Sequence, residues 1–238
     1  MIILLAAALT SAAPGSAPAP AAACPNLVTP DALVCDALKA ERSGDHATAA
    51  QSFEEAAKAS ADKDPARARM WAAAGNLWIA ANQPAKAAVD LDKALAVPGL
   101  ESAQRGEALL DRARAAEAQD DLKTARAKAD EAAQTISSDP FYWYFSAALA
   151  IREHDAVTAQ RAIDKALALA PSDPTILFEA GHVAEFVGDD DKARDYWMQS
   201  AANDPHGEIG KAAAKAVELL GVTPTVKLAP QPPRKPAR

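Results

Sequence analysis

Small and apolar residues recur along this chain at one fixed spacing, with polar residues between them. A small residue is followed by Ala twelve positions later, by an apolar or bulky residue after four more, and by a small residue after three more. The five sets are Ala37/Ala49/Phe53/Ala56, Gly75/Ala87/Leu91/Ala94, Ala113/Ala125/Ala129/Ala132, Ala147/Ala159/Ile163/Ala166 and Gly181/Ala193/Trp197/Ser200. Consecutive sets lie 38, 38, 34 and 34 residues apart. A period in this range is typical of a stacked array of structural repeats.

Each repeat is predicted to be two helices joined by a tight turn. In the fifth repeat Leu177, Ala180 and Gly181 fall at helical spacing, residues 188–191 interrupt the pattern, and Trp197 belongs to its resumption. Small residues let two helices cross closely, whereas bulky residues fill the space between units. One helix pair cannot bury both of its faces, so the units must stack.

Turn and cap residues agree with this division. Asp suits the N-cap of a helix and Pro suits its first position, where the missing N–H has no consequence. Asp-Pro occurs at Asp64-Pro65, Asp139-Pro140, Asp173-Pro174 and Asp204-Pro205. Gly44-Asp45 and Gly188-Asp189 indicate turns between the two helices of a unit.

The sequence resembles the tetratricopeptide repeat (TPR) family, whose pattern is W-x2-L-G-x2-Y, then A-x3-F, then P. The matching residues are Trp71, Ala74, Gly75, Trp78, Ala87 and Leu91 in the second repeat, Trp143, Ala147, Ala159, Ile163 and Pro171 in the fourth, and Leu177, Ala180, Gly181, Ala193, Trp197 and Pro205 in the fifth. The resemblance covers about residues 30–207 and implies an all-α, right-handed solenoid of about five two-helix repeats.

We expect the units at about residues 30–63, 68–101, 106–139, 140–173 and 174–207. The third is the weakest match, because Ala129 stands where a large residue belongs. The four extra residues of the 38-residue spacings are expected in a longer second helix or loop, near residues 59–63 and 98–102. Residues 208–220 are amphipathic and are predicted to form a capping helix. No linker interrupts residues 30–220, so we predict a single solenoid domain.

Residues 1–23 have the apolar run and small residues of a secretory leader, although no Lys or Arg precedes the run. Export is therefore expected, and a cytosolic chain with a disordered N-terminus is the alternative. Residues 24–29 form a short lead-in segment. Residues 221–238 are expected to be a disordered, Pro-rich, basic tail. It contributes +4 to a formal charge of −7, so the rest of the chain carries −11, which argues against nucleic-acid binding.

The two cysteines, Cys24 and Cys35, leave three possibilities open. Export makes a Cys24–Cys35 disulfide plausible, and it would fasten the lead-in segment to the first helix. Cys24 follows three alanines, so acylation after cleavage of the leader is an alternative, with attachment to the outer membrane as a lipoprotein. Two unreacted thiols are the third. The spacing does not suit a C-x-x-C redox or zinc site.

We predict no catalytic, metal or cofactor site. No two of the four histidines have the i, i+4 spacing of a helical metal site, and there is no G-x-S-x-G, P-loop or G-x-G-x-x-G motif. The acidic run of residues 189–191 lacks the alternating ligands of an EF-hand and suits a solvated turn.

In a two-helix solenoid the first helix of each unit lines the concave surface. The candidate partner-binding residues on these helices are Arg69, Asn76, Arg114, Tyr144, Arg152 and His182. Arg and Tyr often dominate peptide binding, and Asn76 could hydrogen-bond a peptide backbone. The lysines of the carboxylate clamp that some TPR proteins have are missing, so such a clamp is not predicted. Phe141 or Phe145 is expected to pack between the third and fourth units.

The resulting hypothesis is an exported, periplasmic protein that binds an extended peptide or a partner's helix in its groove as a non-catalytic scaffold. The alternative is a lipid-anchored structural component of an envelope complex, attached through Cys24, and only this version would contact a membrane. The partner and the oligomeric state do not follow from the sequence.

Overall fold

The computed structural model describes residues 24–220, and all regular elements in this range are α-helices. They are α1 Pro30–Arg42, α2 His46–Ala59, α3 Pro65–Ala80, α4 Pro84–Ala96, α5 Ser102–Glu117, α6 Leu122–Ile136, α7 Pro140–Arg152, α8 Ala156–Leu169, α9 Pro174–Val187, α10 Asp190–Asn203 and α11 Glu208–Leu220. Consecutive helices pair as five two-helix units, and α11 packs on the last unit. The all-α solenoid and its capping helix are confirmed. The leader of residues 1–23 and the tail of residues 221–238 lie outside the described residues.

The turn inside each unit places one residue in the left-handed backbone region. Gly44 and Gly188 hold this position in the first and fifth units, as the sequence indicates. The same position in the second, third and fourth units is occupied by Asn82, Asp120 and His154, with φ of 55°, 62° and 57°. These residues follow the repeat period without sharing a residue type, so composition alone does not reveal the turn.

Most of the helices begin after an N-cap residue whose side chain accepts a backbone hydrogen bond. Asp64, Asp139 and Asp173 accept hydrogen bonds from the backbone N–H groups of the next helix, with Pro at its first position. The fourth Asp-Pro pair differs, because Asp204 follows α10 and α11 begins only at Glu208. Asp204 still caps this helix, since its two carboxylate oxygens accept from the N–H groups of Gly207 and Gly210, each at 3.1 Å.

The extra residues of the first two repeat spacings lie mainly before and within first helices. The loops of residues 60–64 and 97–101 are longer than that of residues 137–139, which agrees with part of the expectation. The second helices are not longer, however. Instead α3 and α5 have 16 residues each, against 13 in α7 and 14 in α9. The second and third units therefore begin at Pro65 and Ser102, earlier than expected.

Small and large residues meet where the helices of a unit cross. A Cβ atom on Gly75 would overlap Leu91, and one on Gly181 would overlap Trp197. In the third unit Ala129 occupies the position that Leu91 and Trp197 hold in the second and fifth, and it is fully buried. Leu109 and Ile136 of the third unit and Tyr142 and Leu149 of the fourth supply the bulk of the cluster that includes Ala129. The neighbouring unit thus contributes part of the volume around Ala129.

First helices form one layer of the solenoid. Contacts join α3 to α5, α7 to α9 and α9 to α11. The pairs α1/α3 and α5/α7, like the second helices of neighbouring units, make no more than isolated contacts within residues 24–220. Buried apolar residues form successive clusters, each shared by adjacent units, so stability comes from a series of interfaces. The layer of first helices is called the inner face, because first helices line the concave side of a two-helix solenoid.

Candidate functional site

The inner face has a depression between α3 and α5, with a volume of about 280 Å³. Its floor is made of small or apolar side chains and its rim is polar. The lining residues are Arg69, Ala72, Ala73, Asn76, Leu100, Gln104, Glu107, Ala108 and Asp111. Arg69 and Asn76 were expected on this surface, whereas Gln104 belongs to the capping box at the start of α5 and was not anticipated.

Asp111 joins two of the predicted binding residues. Its Oδ2 atom accepts a hydrogen bond from Asn76 Nδ2 at 2.8 Å, and its Oδ1 atom accepts from Arg114 Nη1 at 2.9 Å. Asn76 keeps its carbonyl oxygen for other partners. Arg69 is exposed and forms no ion pair with any described residue, so its guanidinium is available to a ligand.

Arg152 is engaged within the solenoid. One nitrogen pairs with the Glu117 carboxylate and donates to the Glu117 carbonyl oxygen at 2.8 Å, and the other pairs with Asp120 at 2.7 Å. These contacts connect the end of α7 to the end of α5. They give Arg152 a structural role between the third and fourth units.

Tyr144 lies half-buried on α7, beside the inner surface of α9. Burial raises the pKa of its phenol, the nearby Glu179 raises it further, and Arg114 opposes them. Phe141 on the same helix is 46% exposed, whereas Phe145 packs against the cluster of the third and fourth units. Of Phe141 and Phe145, it is therefore Phe145 that packs between the third and fourth units.

His182 packs among aromatic rings on α9. Its ring centroid lies 4.5 Å from that of Phe178 and 5.3 Å from that of Trp197, both edge to face. Burial lowers the pKa of the imidazole, and its Nδ1 atom lies 4.0 Å from the Glu185 carboxylate. His182 therefore presents a mostly uncharged imidazole at neutral pH.

Glu179 is a groove residue that was not among the predicted binding residues. It retains only 8% exposure, and burial raises its pKa to about 7. It precedes His182 by three positions on α9, so helical spacing places both on the same side of the helix. This spacing was the signal that could have identified it.

A second polar cluster lies away from the inner face, between α2 and α4. Glu54 accepts from Trp78 Nε1 at 2.8 Å, and the buried Asp90 pairs with Lys93 at 2.8 Å. Burial raises the pKa of Asp90, and the neighbouring Glu54 raises it further. Lys93 also lies over the ring of Trp71. Asp90 Oδ1 and Glu54 have partners within the solenoid, whereas Asp90 Oδ2 is buried without a hydrogen-bond partner. The cluster lies where the first two units pack together.

Cys24 and Cys35 form a disulfide in the structure, with Cα atoms 5.6 Å apart. The bond joins the lead-in segment to α1, more than one turn after the N-cap residue Thr29. A lipid on the Cys24 sulfur and this bond exclude one another.

Among residues 24–220 there is no cluster of three or more His, Cys, Asp or Glu side chains that could hold a metal ion. Within the same range, no helix has the length and apolar character needed to cross a bilayer.

Solved structures with the same fold are TPR proteins. PilW, a widely conserved type IV pilus biogenesis factor, is 20% identical with a TM-score of 0.65, over 77% of this chain and 81% of PilW. PilF of Pseudomonas aeruginosa is 15% identical with a TM-score of 0.61, over 79% of this chain and 82% of PilF.

YrrB, a TPR protein with an unusual peptide-binding site, is 16% identical with a TM-score of 0.55, over 77% of this chain and 91% of YrrB. No protein-family model matches the chain, and no curated protein matches it. At these identities the likeness defines the fold, which is that of a TPR solenoid.

Proposed function

We propose that this chain is a non-catalytic scaffold that binds an extended peptide or a partner's helix along the inner face of its solenoid. The observation that carries the proposal is the depression between α3 and α5, with an apolar floor, a polar rim and the unpaired Arg69 at its edge. Such a surface can bury apolar side chains and satisfy the backbone amides of a peptide at the same time.

The distribution of polar groups supports a peptide as the ligand. Asn76 offers its side-chain carbonyl to a backbone N–H, and Arg69 can pair with a carboxylate in bidentate fashion. Farther along the groove, Tyr144 and His182 present aromatic rings with polar tips. Aromatic and Arg side chains are the groups that most often dominate binding energies.

The comparisons support the same class of function without naming a partner. YrrB is described as having a peptide-binding site, and PilW as a pilus biogenesis factor. Both have a fold similar to that of this chain. The partner proposed here is accordingly a protein or peptide.

We place this activity outside the cytoplasm, in the bacterial cell envelope. The leader-like pattern of residues 1–23 motivates export, and a Cys24–Cys35 bond suits an oxidising compartment. In this proposal Cys24 belongs to the disulfide and the protein is not lipid-anchored. Mass spectrometry of the mature N-terminus tests this point, because a diacylglyceryl group on Cys24 would contradict it.

Site-specific photocross-linking in the native host tests the groove. A photoreactive phenylalanine replaces Arg69 on the inner face or Val157, which is 71% exposed on α8. We expect the first position to form a defined covalent adduct and the second to form none. Mass spectrometry of the adduct then identifies the partner.

Two matched triple variants separate the groove from the outer surface. Asn76→Ala with Arg114→Ala and Tyr144→Ala removes groove side chains, whereas Val157→Ala with Gln160→Ala and Arg161→Ala alters the exposed surface of α8. Both are checked by circular dichroism. We expect only the groove variant to lose the adduct, and equal loss in both variants would reject the groove as the binding surface.

A further inference from the structure

Glu179 is a buried carboxyl group without a partner. It retains 8% exposure, and it forms no hydrogen bond or ion pair through its side chain within residues 24–220. Its oxygens are nevertheless not among the polar atoms of this range that are sealed from the surface. The carboxyl group of Glu179 is therefore buried but keeps a small contact with solvent.

No ion pair balances the charge of Glu179 within residues 24–220. Arg114 is paired with Asp111, and Arg152 is paired with Glu117 and Asp120. From α9 itself, His182 approaches the exposed Glu185. Arg114 on α5 and Arg152 on α7 are thus already paired, and Glu179 forms no ion pair with any cation of residues 24–220.

Tyr144 completes the arrangement from the neighbouring first helix. It packs against Ala180 and its apolar neighbours on α9, next to Glu179 in the sequence, and its hydroxyl has no hydrogen-bond partner among the described residues. Two adjacent helices thus present one buried carboxyl group and one half-buried hydroxyl group, both without hydrogen-bond partners. Such groups are usually satisfied, and leaving them unsatisfied is unfavourable.

We propose that Glu179 and Tyr144 form a subsite for one cationic side chain, Lys or Arg, of the peptide bound in the groove. The proposal rests on the proposed peptide-binding function and adds the chemistry of one ligand residue. An ammonium or guanidinium group brings several N–H donors, which the carboxylate and phenol oxygens can accept. A metal ion is not suited, because Glu179 is not part of any cluster of three ligands within residues 24–220.

Titration with a small cation tests the subsite directly. The probe is N-acetyl-arginine methylamide, and its neutral control is the citrulline analogue, which has nearly the same shape. Binding is followed by backbone amide NMR of the full chain at pH 8. We expect saturable shifts at Tyr144, Glu179 and their neighbours, with at least about tenfold tighter binding of the arginine probe than of the citrulline probe.

Two variants test whether Glu179 causes the preference for the arginine probe. Glu179→Gln is expected to weaken binding of the arginine probe about tenfold and to make the two probes alike. Glu185→Gln removes the same charge from an exposed position on the same helix and is expected to change binding less than threefold. Equal binding of the two probes by the unmodified protein, or an unchanged affinity in Glu179→Gln, would overturn the subsite.

This experiment and the cross-linking test fail separately. Selective binding of the arginine probe without any adduct from the groove would leave the subsite and remove the proposed peptide-binding function. A groove adduct with no preference for the arginine probe would leave that function and remove the subsite.

Discussion

The indole ring of Trp197 on α10 lies directly on Gly181 of α9, where any side chain would overlap it. Trp197 Nε1 also donates a hydrogen bond to the carbonyl oxygen of Phe178 at 3.0 Å. The Nε1 edge of the ring is therefore held by close contact with the α9 backbone and by a hydrogen bond to it. Gly75 and Leu91 repeat the steric relationship in the second unit.

Gly181→Ala should destabilise the protein by about 2–3 kcal/mol, because the added methyl group forces the indole from its position. Urea denaturation followed by circular dichroism measures the loss. A double-mutant cycle combines Gly181→Ala with Trp197→Leu. Leu is chosen because it is the residue that faces Gly75 in the second unit. If the two changes are strictly additive, the steric account of this contact is wrong.

His154 occupies the left-handed position in the turn between α7 and α8, with φ of 57°. Gly adopts this conformation without the steric penalty that a Cβ brings. We therefore expect His154→Gly to raise the free energy of unfolding by about 0.5–1 kcal/mol. His46→Gly is the matched control, because His46 begins helix α2, and it should lower stability instead.

Arg126 on α6 links the third unit to the fourth. Its guanidinium donates to both oxygens of Glu153, at 2.6–3.2 Å, and to the Ser146 hydroxyl at 3.0 Å. Arg126→Ala should lower stability by about 2 kcal/mol, because the bidentate pair is only partly exposed and its partners lose their donors.

Lys128→Ala, on the same helix, is the control for this prediction. Lys128 pairs with Glu131 at 3.1 Å within one helix, so its loss should be below about 0.5 kcal/mol. Chemical denaturation of both variants at low and high salt makes the comparison. Equal losses would mean that the contacts of Arg126 do not hold the two units together.

The fold was predictable because its determinants are local and periodic. Gly75 and Gly181 occupy crossing positions without room for a larger side chain, because Leu91 and Trp197 lie against them. The third unit was less clear, since part of the bulk in the cluster of Ala129 comes from the fourth unit. Packing between units depends on volumes that no single repeat contains.

The groove was predictable as a surface but not as a set of available side chains. Asn76 and Asp111 are 35 residues apart, as are Arg152 and Glu117, so each pair joins equivalent regions of successive units. A separation close to the repeat period brings side chains into contact across units. Whether Arg152 faces a ligand or a neighbouring carboxylate depends on that geometry, which helical spacing alone does not give.

The Cys24–Cys35 bond should act on the first unit alone. Closing a loop with a sequence separation of 11 is worth about 3 kcal/mol or less. We expect reduction, or Cys24→Ser with Cys35→Ser, to speed amide hydrogen exchange in α1. Exchange in α9 and α10 should not change, because stability in such an array is local. Loss of protection throughout the solenoid would contradict this.

Burial of Glu179 makes stability depend on pH in a defined direction. Its pKa is about 7 in the folded protein and about 4.5 without burial. Between these values the folded state retains a proton that the unfolded state releases. The stabilisation that comes from this retained proton is therefore complete below pH 4.5, and it is lost as pH rises through 7. The shift corresponds to about 3 kcal/mol between these limits.

Glu179→Gln removes this titration, so the variant should gain stability relative to the unmodified protein as pH rises from 5 to 8. Urea midpoints at both pH values measure the difference, and Glu41→Gln, at an exposed position on α1, is the control. His182 has a pKa lowered by burial, so its effect appears as pH falls and does not imitate that of Glu179. If the urea midpoints of the variant and of the unmodified protein change in parallel with pH, Glu179 does not carry the buried charge. The cation subsite then loses its physical basis as well.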